Sequence, residues 1–507
     1  MVQGPNTFNA VEIKALRNKV IGNPFEKIKY INNGTFEHLL NSLENINDES
    51  IMQYTLVFLS SCLLLPQAKI TNDQAVKIWI LFEKCSNEET RIAAAKCLRS
   101  IYESNQFLVT HDNIISIIKN LHTDVIGPSF KLSLVLCELL SKICKSKQHQ
   151  SLVAESGGMD KMVLLLSSDN PKLVSSCLLA LSSVLKENPE IAKYVMSLKL
   201  TVNNKETKLV ALLLSLCKSM RNHLDKLIVC SCIVNLYAVN VAKELTRDIN
   251  LVVLPTLVKL LNTDVDYKAA LVLAYLTAGS EDLQKSASEA EAIPKLAQVI
   301  KEWTEDANDL QILQVESALT ALAAIASLRE DCRKKVIDSK VLNMITRLLD
   351  SRVNLIRSAA CQLTRSLSRS VKTLRTALVD ASIVKSILNL LKDDVDEVKI
   401  SACATLCNIV LDFSPVKDEV TENGGIEQLV LLISSNNPKL RLNAIWALKN
   451  LVYQSKTELK QRVMVLLTYP RLLQLLNDDE LIQEHALNLI RNLACMDEKV
   501  FDTNIGY

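Results

Sequence analysis

Glycine and proline are scarce in this chain, with 10 and 11 among its 507 residues. Aromatic residues make up only 4% of the sequence, whereas hydrophobic residues make up 49%, so most of the apolar content is leucine, valine, isoleucine and alanine. This composition argues against a twisted sheet with aromatic cross-strand pairs and favours long helices packed on one another. We therefore expect an all-α protein without strands.

Long apolar runs and an excess of one charge are also missing. No stretch reaches about 18 uninterrupted apolar residues, and the N-terminal sequence MVQGPNTFNAVEIK has no basic segment followed by an apolar run. The formal net charge is +2, from 58 basic and 56 acidic residues, which gives no overall field to attract nucleic acid or an anionic membrane. We expect a soluble protein of the cytoplasm and nucleus that binds neither nucleic acid nor membranes.

The sequence contains no pattern typical of a metal site or an active site. Most of the 14 cysteines fall inside apolar helical patterns, as Cys97, Cys177, Cys361 and Cys403 do, where a thiol acts as a small hydrophobic group in a reducing compartment. No pair of histidines has metal-ligand spacing beside a carboxylate, and no glycine-rich loop follows a strand. We predict no metal, no cofactor and no enzymatic activity.

A repeat of 42 residues runs through the second half of the chain. The step links four alanines, Ala360, Ala402, Ala444 and Ala486, and likewise a polar series, Ser366, Asn408, Asn450 and Asn492. Each unit reads as a short apolar helix, a polar turn and a longer helix, and the small residue permits a close helix crossing. Such units bury their apolar faces only by stacking on their neighbours.

The same plan continues upstream in looser register. ESGGMDKMVLLLSSDNPKLVSSCLLALSSVL (155–185) has the skeleton of ENGGIEQLVLLISSNNPKLRLNAIWALKNLV (422–452). We predict an armadillo/HEAT-type α-solenoid, a right-handed superhelix of about 11 or 12 repeats. Its predicted parts are irregular repeats over 1–278, an acidic connection or enlarged repeat over 279–310, and regular repeats over 311–507.

The last helix of each repeat lines the concave surface in such a stack, and this predicts a groove for an extended partner segment. Stacked helices lie about 8–10 Å apart, so successive repeats meet about every third residue of an extended chain. Asparagine amides could bond its backbone, an exposed tryptophan could anchor it, and basic residues could attract an acidic segment or a terminal carboxylate. The predicted groove residues are Trp446, Asn450, Asn408, Asn492, Tyr453, Lys449, Arg491, Arg365 and Arg369.

Three blocks carry a resemblance to a known family: RSAACQLTRSLSRSVKTLRTAL (357–378), LCNIVLDFSPVKDEVTENGGIEQL (406–429) and NPKLRLNAIWALKNLVYQSKTELK (437–460). They resemble the armadillo repeat-containing protein 8 family, the armadillo scaffold subunits of GID/CTLH ubiquitin ligases. The resemblance implies a non-catalytic scaffold that bridges LisH/CTLH and RING subunits to a substrate receptor, whose C-terminal tail the later repeats hold. Members generally continue for several repeats beyond the point where this chain stops.

Two other interpretations remain open from the residues. One is a peptide-binding adaptor of the nuclear-import or adhesion type, and the other is an armadillo scaffold with unrelated partners. The import type needs Trp-x-x-x-Asn in several repeats, but Ala404 and Asn488 stand at the positions equivalent to Trp446. Only one complete motif is therefore present.

Overall fold

The computed structural model describes residues 9–104, 109–123, 129–202, 205–238, 245–370, 383–411 and 414–495. The chain divides into two compact units, Met1–Val252 and Val253–Tyr507. The boundary predicted at 278 therefore lies inside the second unit. Among the described residues, no helix is long and apolar enough to cross a membrane.

In both units, one helix of each repeat packs on the equivalent helix of the next repeat. We call these the central helices, and their solvent-facing side the central-helix surface. In the described part of the first unit they are Ala10–Val20, Glu49–Cys62, Glu88–Ser104, Ser129–Ile143, Pro171–Leu185 and His223–Ala238. In the second unit they are Asp266–Thr277, Asp309–Ile325, Asn354–Leu367, Asp396–Ile409, Pro438–Val452 and Glu480–Ala494.

Other helices flank the central ones and supply the rest of the apolar core. In the first unit they are Pro24–Asn32, Thr35–Ser42, Leu43–Asn45 (3-10), Asn72–Lys84, His111–Asn120, Lys147–Glu155, Gly158–Leu165, Pro189–Ser197, Leu209–Ser219 and Thr246–Asp248, followed by a π-helical turn at Ile249–Val253. In the second unit they are Leu254–Leu260, Glu281–Glu289, Ala292–Lys301, Glu330–Asp338, Leu342–Leu349, Ile383–Leu390, Ser414–Glu422, Gly425–Ile433, Thr457–Leu467 and Tyr469–Leu475.

One sequence prediction differs from the structure. Strands Lys199–Val202 and Lys205–Lys208 pair antiparallel, with Lys199 opposite Lys208, so the expectation of no strands is wrong here. The segment 279–310, predicted as an acidic connection or an enlarged repeat, contains the helices Glu281–Glu289 and Ala292–Lys301 and the start of a central helix. Its acidic and serine-rich composition reflects the exposed faces of ordinary helices, because Leu283 and Ala287 are fully buried between them.

Turn chemistry sets the helix starts as the sequence predicts. Asn437 accepts a hydrogen bond from the Lys439 backbone N–H at 3.1 Å, and Pro438 occupies the first helical position. Proline is tolerated there because that backbone position has no intrahelical acceptor to reach. Asn170 caps the helix Pro171–Leu185 in the same way. The turn signals thus fix where the central helices begin.

The paired glycines at 424 and 425 serve two different purposes. Gly424 has φ 76°, in the left-handed region that glycine adopts without strain. Gly425 has no room for a side chain, because a Cβ atom would lie 2.5 Å from Val420 Cγ1 and 2.7 Å from its carbonyl oxygen. The flanking helices can therefore meet closely at this turn.

Small residues bring the central helices of the second unit close together. Ala360, Ala402, Ala444 and Ala486 are all fully buried.

The cysteines predicted to be core residues are buried as well: Cys97, Cys177, Cys361 and Cys403. All 14 cysteines are free. Burial raises the pKa of the Cys361 thiol to about 12, so this group stays protonated. The predicted role of the cysteines as small core residues is confirmed at these four positions.

Arginines at the starts of the central helices join successive turns. Arg441 pairs with Asp478 of the next turn through Nε and Nη2, both at 2.7 Å, and Nη1 donates to the Ser435 carbonyl at 3.0 Å. Arg357 pairs with Asp393 in the same manner, at 2.7 and 3.1 Å. These two-point contacts fix the spacing of neighbouring repeats along one edge of the stack.

Candidate functional site

The asparagine series lies between repeats, at the C-terminal ends of the central helices. The last four carbonyls of a helix have no intrahelical partner. Asn450 Nδ2 donates to the Cys407 carbonyl at 2.9 Å, and Asn492 Nδ2 donates to the Lys449 carbonyl at 3.1 Å. In each case the acceptor belongs to the last turn of the preceding central helix.

The two remaining members of the series occupy the same position. Ser366 Oγ donates to the Ala323 carbonyl at 2.9 Å. Asn408 Nδ2 donates to Ser368 Oγ at 2.9 Å and lies 3.5 Å from the Arg365 carbonyl. Asn450 and Asn492 are each only 7% exposed. The amides predicted to bond a partner's backbone thus bond the preceding repeat, because the helix ends leave carbonyls that only the next repeat can reach.

Trp446 lies on the central-helix surface of the second unit, and its predicted exposure is confirmed at 40%. Its ring centroid is 5.0 Å from that of His485, which comes from the next central helix. Lys449 Nζ lies 5.5 Å from the indole centroid. The contact with His485 holds the indole in place without covering it, so an apolar and cation-binding surface faces solvent.

Tyr453 and Lys449 extend this surface. Tyr453 is 37% exposed, and its carbonyl accepts a hydrogen bond from the largely buried Lys417 ammonium group. Burial lowers the pKa of Lys449, and no carboxylate of the described residues lies within ion-pair distance of its ammonium group. Burial also lowers the pKa of His485, helped by the nearby charge of Lys449, and its Nδ1 is buried without a hydrogen-bond partner among the described residues.

Arg365 and Arg369 line a groove of about 540 Å³ on the same surface. The groove floor consists mainly of small residues of the preceding central helix, including Ala323 and Ala324. Arg369 Nη1 donates to the Ser327 carbonyl at 3.2 Å, which orients that guanidinium across the floor. Burial lowers the pKa of Arg369, and the positive charge of Arg365 lowers it further.

Of the nine predicted groove residues, four are exposed, three are half-buried and two are buried: Trp446, Tyr453, Arg491 and Arg369; Lys449, Arg365 and Asn408; and Asn450 and Asn492. Sequence reasoning missed His485 and the opposite wall of the arginine groove, which Leu271 and Tyr275 form. Each of these two wall residues is 40% exposed. The 42-residue step does not reach them, because the segment between helices Ala292–Lys301 and Asp309–Ile325 lengthens that repeat.

The described residues contain no group of three histidine, cysteine, aspartate or glutamate side chains placed to hold a metal ion. The exposed cations and aromatic rings suit the binding of another polypeptide, because they offer charge and apolar area on an open surface.

Comparison with known proteins supports the repeat assignment. The armadillo/beta-catenin-like repeat family matches residues 413–453. GID complex subunit 5 of Schizosaccharomyces pombe is 30% identical over 304 residues, which cover 55% of this chain and 38% of that protein. Armadillo repeat-containing protein 8 of Mus musculus is 26% identical over 425 residues, which cover 79% and 62%, respectively. The chain spans less than two thirds of the length of these two relatives.

Among solved structures, an engineered protein superposes with a TM-score of 0.58 at 20% identity, covering 84% of this chain and 99% of that one. At this level of identity the match shows a shared fold. The 42-residue repeat, the stacked central helices and the family match together show an armadillo-repeat α-solenoid fold, in a chain that is similar over part of its length to Armadillo repeat-containing protein 8 and GID complex subunit 5.

Proposed function

We propose that this chain is a non-catalytic scaffold subunit of a GID/CTLH-type E3 ubiquitin ligase. In this role it bridges the catalytic core to a substrate receptor in ubiquitin-dependent protein degradation, in the cytoplasm and nucleus. Its partners are LisH/CTLH and RING subunits and the C-terminal tail of the receptor. The similarity to GID complex subunit 5 of Schizosaccharomyces pombe supports assignment to this kind of complex.

One observation supports the proposed place of binding. Trp446 exposes 40% of its surface beside Lys449 and Tyr453, and no carboxylate of the described residues lies within ion-pair distance of the Lys449 ammonium group. A rigid indole with a neighbouring cation is typical of residues that dominate protein interfaces. Burying the indole under a partner would gain apolar contact without ordering a flexible side chain.

The receptor tail suits this surface because it ends in a carboxylate. Lys449 and Arg491, one repeat apart, can attract a negative charge, while Trp446 and Tyr453 bind an apolar side chain. Asn450 is not available for an import-type backbone ladder, since its amide donates to the Cys407 carbonyl. This geometry favours the scaffold over the nuclear-import alternative.

Affinity purification from cells tests the proposal. A tagged full-length chain should co-elute with LisH/CTLH and RING subunits and with a substrate receptor. Replacing Trp446 and Tyr453 together by alanine should remove the receptor while leaving the core subunits bound. The matched control is Leu431→Ala, because Leu431 is a 60% exposed apolar residue on the flanking helix Gly425–Ile433. Circular dichroism should show unchanged helicity in both variants.

Two results would contradict the proposal. Co-elution of importin-β or cadherin tails without ligase subunits would support the adaptor interpretation. Retention of the receptor by the folded double variant would place its binding site elsewhere.

A further inference from the structure

The charges on the central-helix surfaces differ between the two units. In the first unit, cations on neighbouring central helices are paired: Arg99 with Glu138, and Lys142 with Glu103 at 2.8 Å. In the second unit, the described residues provide no carboxylate within ion-pair distance of Arg365 or Arg369. Among the described residues, Arg365 and Arg369 thus form a pair of neighbouring cations without an ion-pair partner.

The two arginines are four residues apart, Arg365 in the last turn of helix Asn354–Leu367 and Arg369 just after its C-cap Ser368, and their like charges repel. Arg369 is tied to the Ser327 carbonyl at 3.2 Å, which holds its guanidinium over the groove beside Arg365. An anion between them would relieve the repulsion and accept hydrogen bonds from two guanidinium groups. A carboxylate suits this geometry because each oxygen can accept from one guanidinium.

The rest of the groove has a different chemical character. Its far wall, on helix Asp266–Thr277, carries Leu271 and Tyr275, each 40% exposed. Between the apolar wall and the arginines lies the helix Asp309–Ile325, which contributes Thr320, Ala323 and Ala324 to the floor. Small side chains there leave room for a polypeptide backbone to pass close to the helix.

The distance between the arginine wall and the apolar wall sets the distance, along a bound segment, between its carboxylate and its apolar side chain. Two steps between stacked helices amount to about 16–20 Å. An extended chain advances about 3.3 Å per residue, so this span corresponds to roughly five or six residues.

We propose that this groove binds an extended partner segment that carries a carboxylate at Arg365 and Arg369 and, about five or six residues away, an apolar side chain at Leu271 and Tyr275. This inference rests on the proposed function only in taking the occupant to be a segment of a partner polypeptide. It adds a second binding site, separate from Trp446, that selects partner segments by the spacing between a carboxylate and an apolar side chain.

Selection from a phage-displayed library of random twelve-residue peptides tests the proposal on the full chain. Enriched peptides should share an acidic residue, or an acidic pair, five or six positions from a leucine, isoleucine, phenylalanine or methionine. Binding of these peptides should fall at least tenfold with Arg365→Glu, and Arg365→Lys should retain part of it. The Leu271→Asp variant should lose peptides with the apolar residue, and Arg352→Glu, an exposed arginine outside the groove, should have no effect.

Several outcomes would overturn the inference. They are the absence of any enriched peptide, enrichment of peptides without acidic residues, and peptide affinity that is unchanged by both Arg365→Glu and Leu271→Asp. Tight binding of a fluorescent single-stranded oligonucleotide that Arg365→Glu abolishes would identify the groove as a nucleic-acid site instead. Affinity purification with the Arg365→Glu variant separates the two proposals. If this variant loses the selected peptides but still co-elutes with the ligase subunits and the receptor, the groove acts independently of the receptor-binding surface at Trp446.

Discussion

Replacing Asn450 with alanine should destabilise the protein, although this residue belongs to the predicted partner-binding series. Its Nδ2 donates at 2.9 Å to the Cys407 carbonyl, in the last turn of the preceding central helix. Alanine removes the donor and leaves that carbonyl without its protein partner. Because Asn450 is only 7% exposed, water has little access to take its place.

The expected loss in the free energy of unfolding is about 1–3 kcal/mol, the usual penalty for an unpaired polar group in a buried site. Helix propensity works in the opposite direction, since alanine is the best helix former and asparagine a poor one. A measured loss must therefore come from the missing hydrogen bond and contact. Urea unfolding followed by far-ultraviolet circular dichroism measures it as a lower midpoint at unchanged slope.

The chain itself offers a matched control for this experiment. Ser366 occupies the equivalent position two repeats upstream and donates to the Ala323 carbonyl at 2.9 Å. Asn450→Ser should therefore recover part of the stability that Asn450→Ala loses. If the alanine and serine variants unfold at the same urea concentration as the wild type, the interpretation of this amide as a helix-terminal cap is refuted.

Three further predictions concern turns and pH. Gly425→Ala should lower stability by about 1–3 kcal/mol, because its methyl group would overlap Val420; thermal unfolding measures this. Asp478→Asn should cost about 1.5–3 kcal/mol at neutral pH by breaking the pair with Arg441. The Arg441 hydrogen bond lowers the pKa of Asp478, so this stabilisation is present above the unfolded value of 3.8 and is lost as the pH falls through the folded value. Burial lowers the pKa of His485 below 6.5, so the unfolded chain takes up more protons as the pH falls through 6.5; stability should drop there, and His485→Gln should flatten that part of the profile.

Controls distinguish these effects from general loss of folding. Gly424→Asn should be milder than Gly425→Ala, since asparagine tolerates the left-handed backbone at Gly424 and the nearest atom to a Cβ there is 3.8 Å away. Equal losses at the two glycines would contradict the steric argument. A pH profile unchanged by either Asp478→Asn or His485→Gln would show that the substituted group does not titrate with unfolding.

The repeat and its helices could be predicted from the sequence because the apolar stripe and the turn signals recur at constant spacing. Asn437 and Pro438 mark a helix start by local chemistry alone, and the buried alanines follow from their step of 42 residues. The hairpin at Lys199–Lys208 was missed because two four-residue strands leave no clear period in a helical background.

The candidate site was only partly predictable, since the direction of a side chain depends on its neighbours in space. Trp446 and Asn450 lie one helical turn apart, yet one faces solvent and the other faces the preceding repeat. Sequence spacing places both near the same surface. The reason that the asparagine turns inward lies in the adjacent helix, because the Cys407 carbonyl in its last turn accepts its hydrogen bond from Asn450.

The hydrogen bonds from Ser366, Asn450 and Asn492 all run from a later repeat to an earlier one. In these three cases a carbonyl at the end of a central helix is hydrogen-bonded by the following repeat, which gives this part of the array a direction. Loss of a successor exposes polar atoms in the repeat before it, whereas loss of a predecessor leaves a side-chain donor that can turn to water. Local opening should accordingly spread toward the N-terminus more readily than toward the C-terminus.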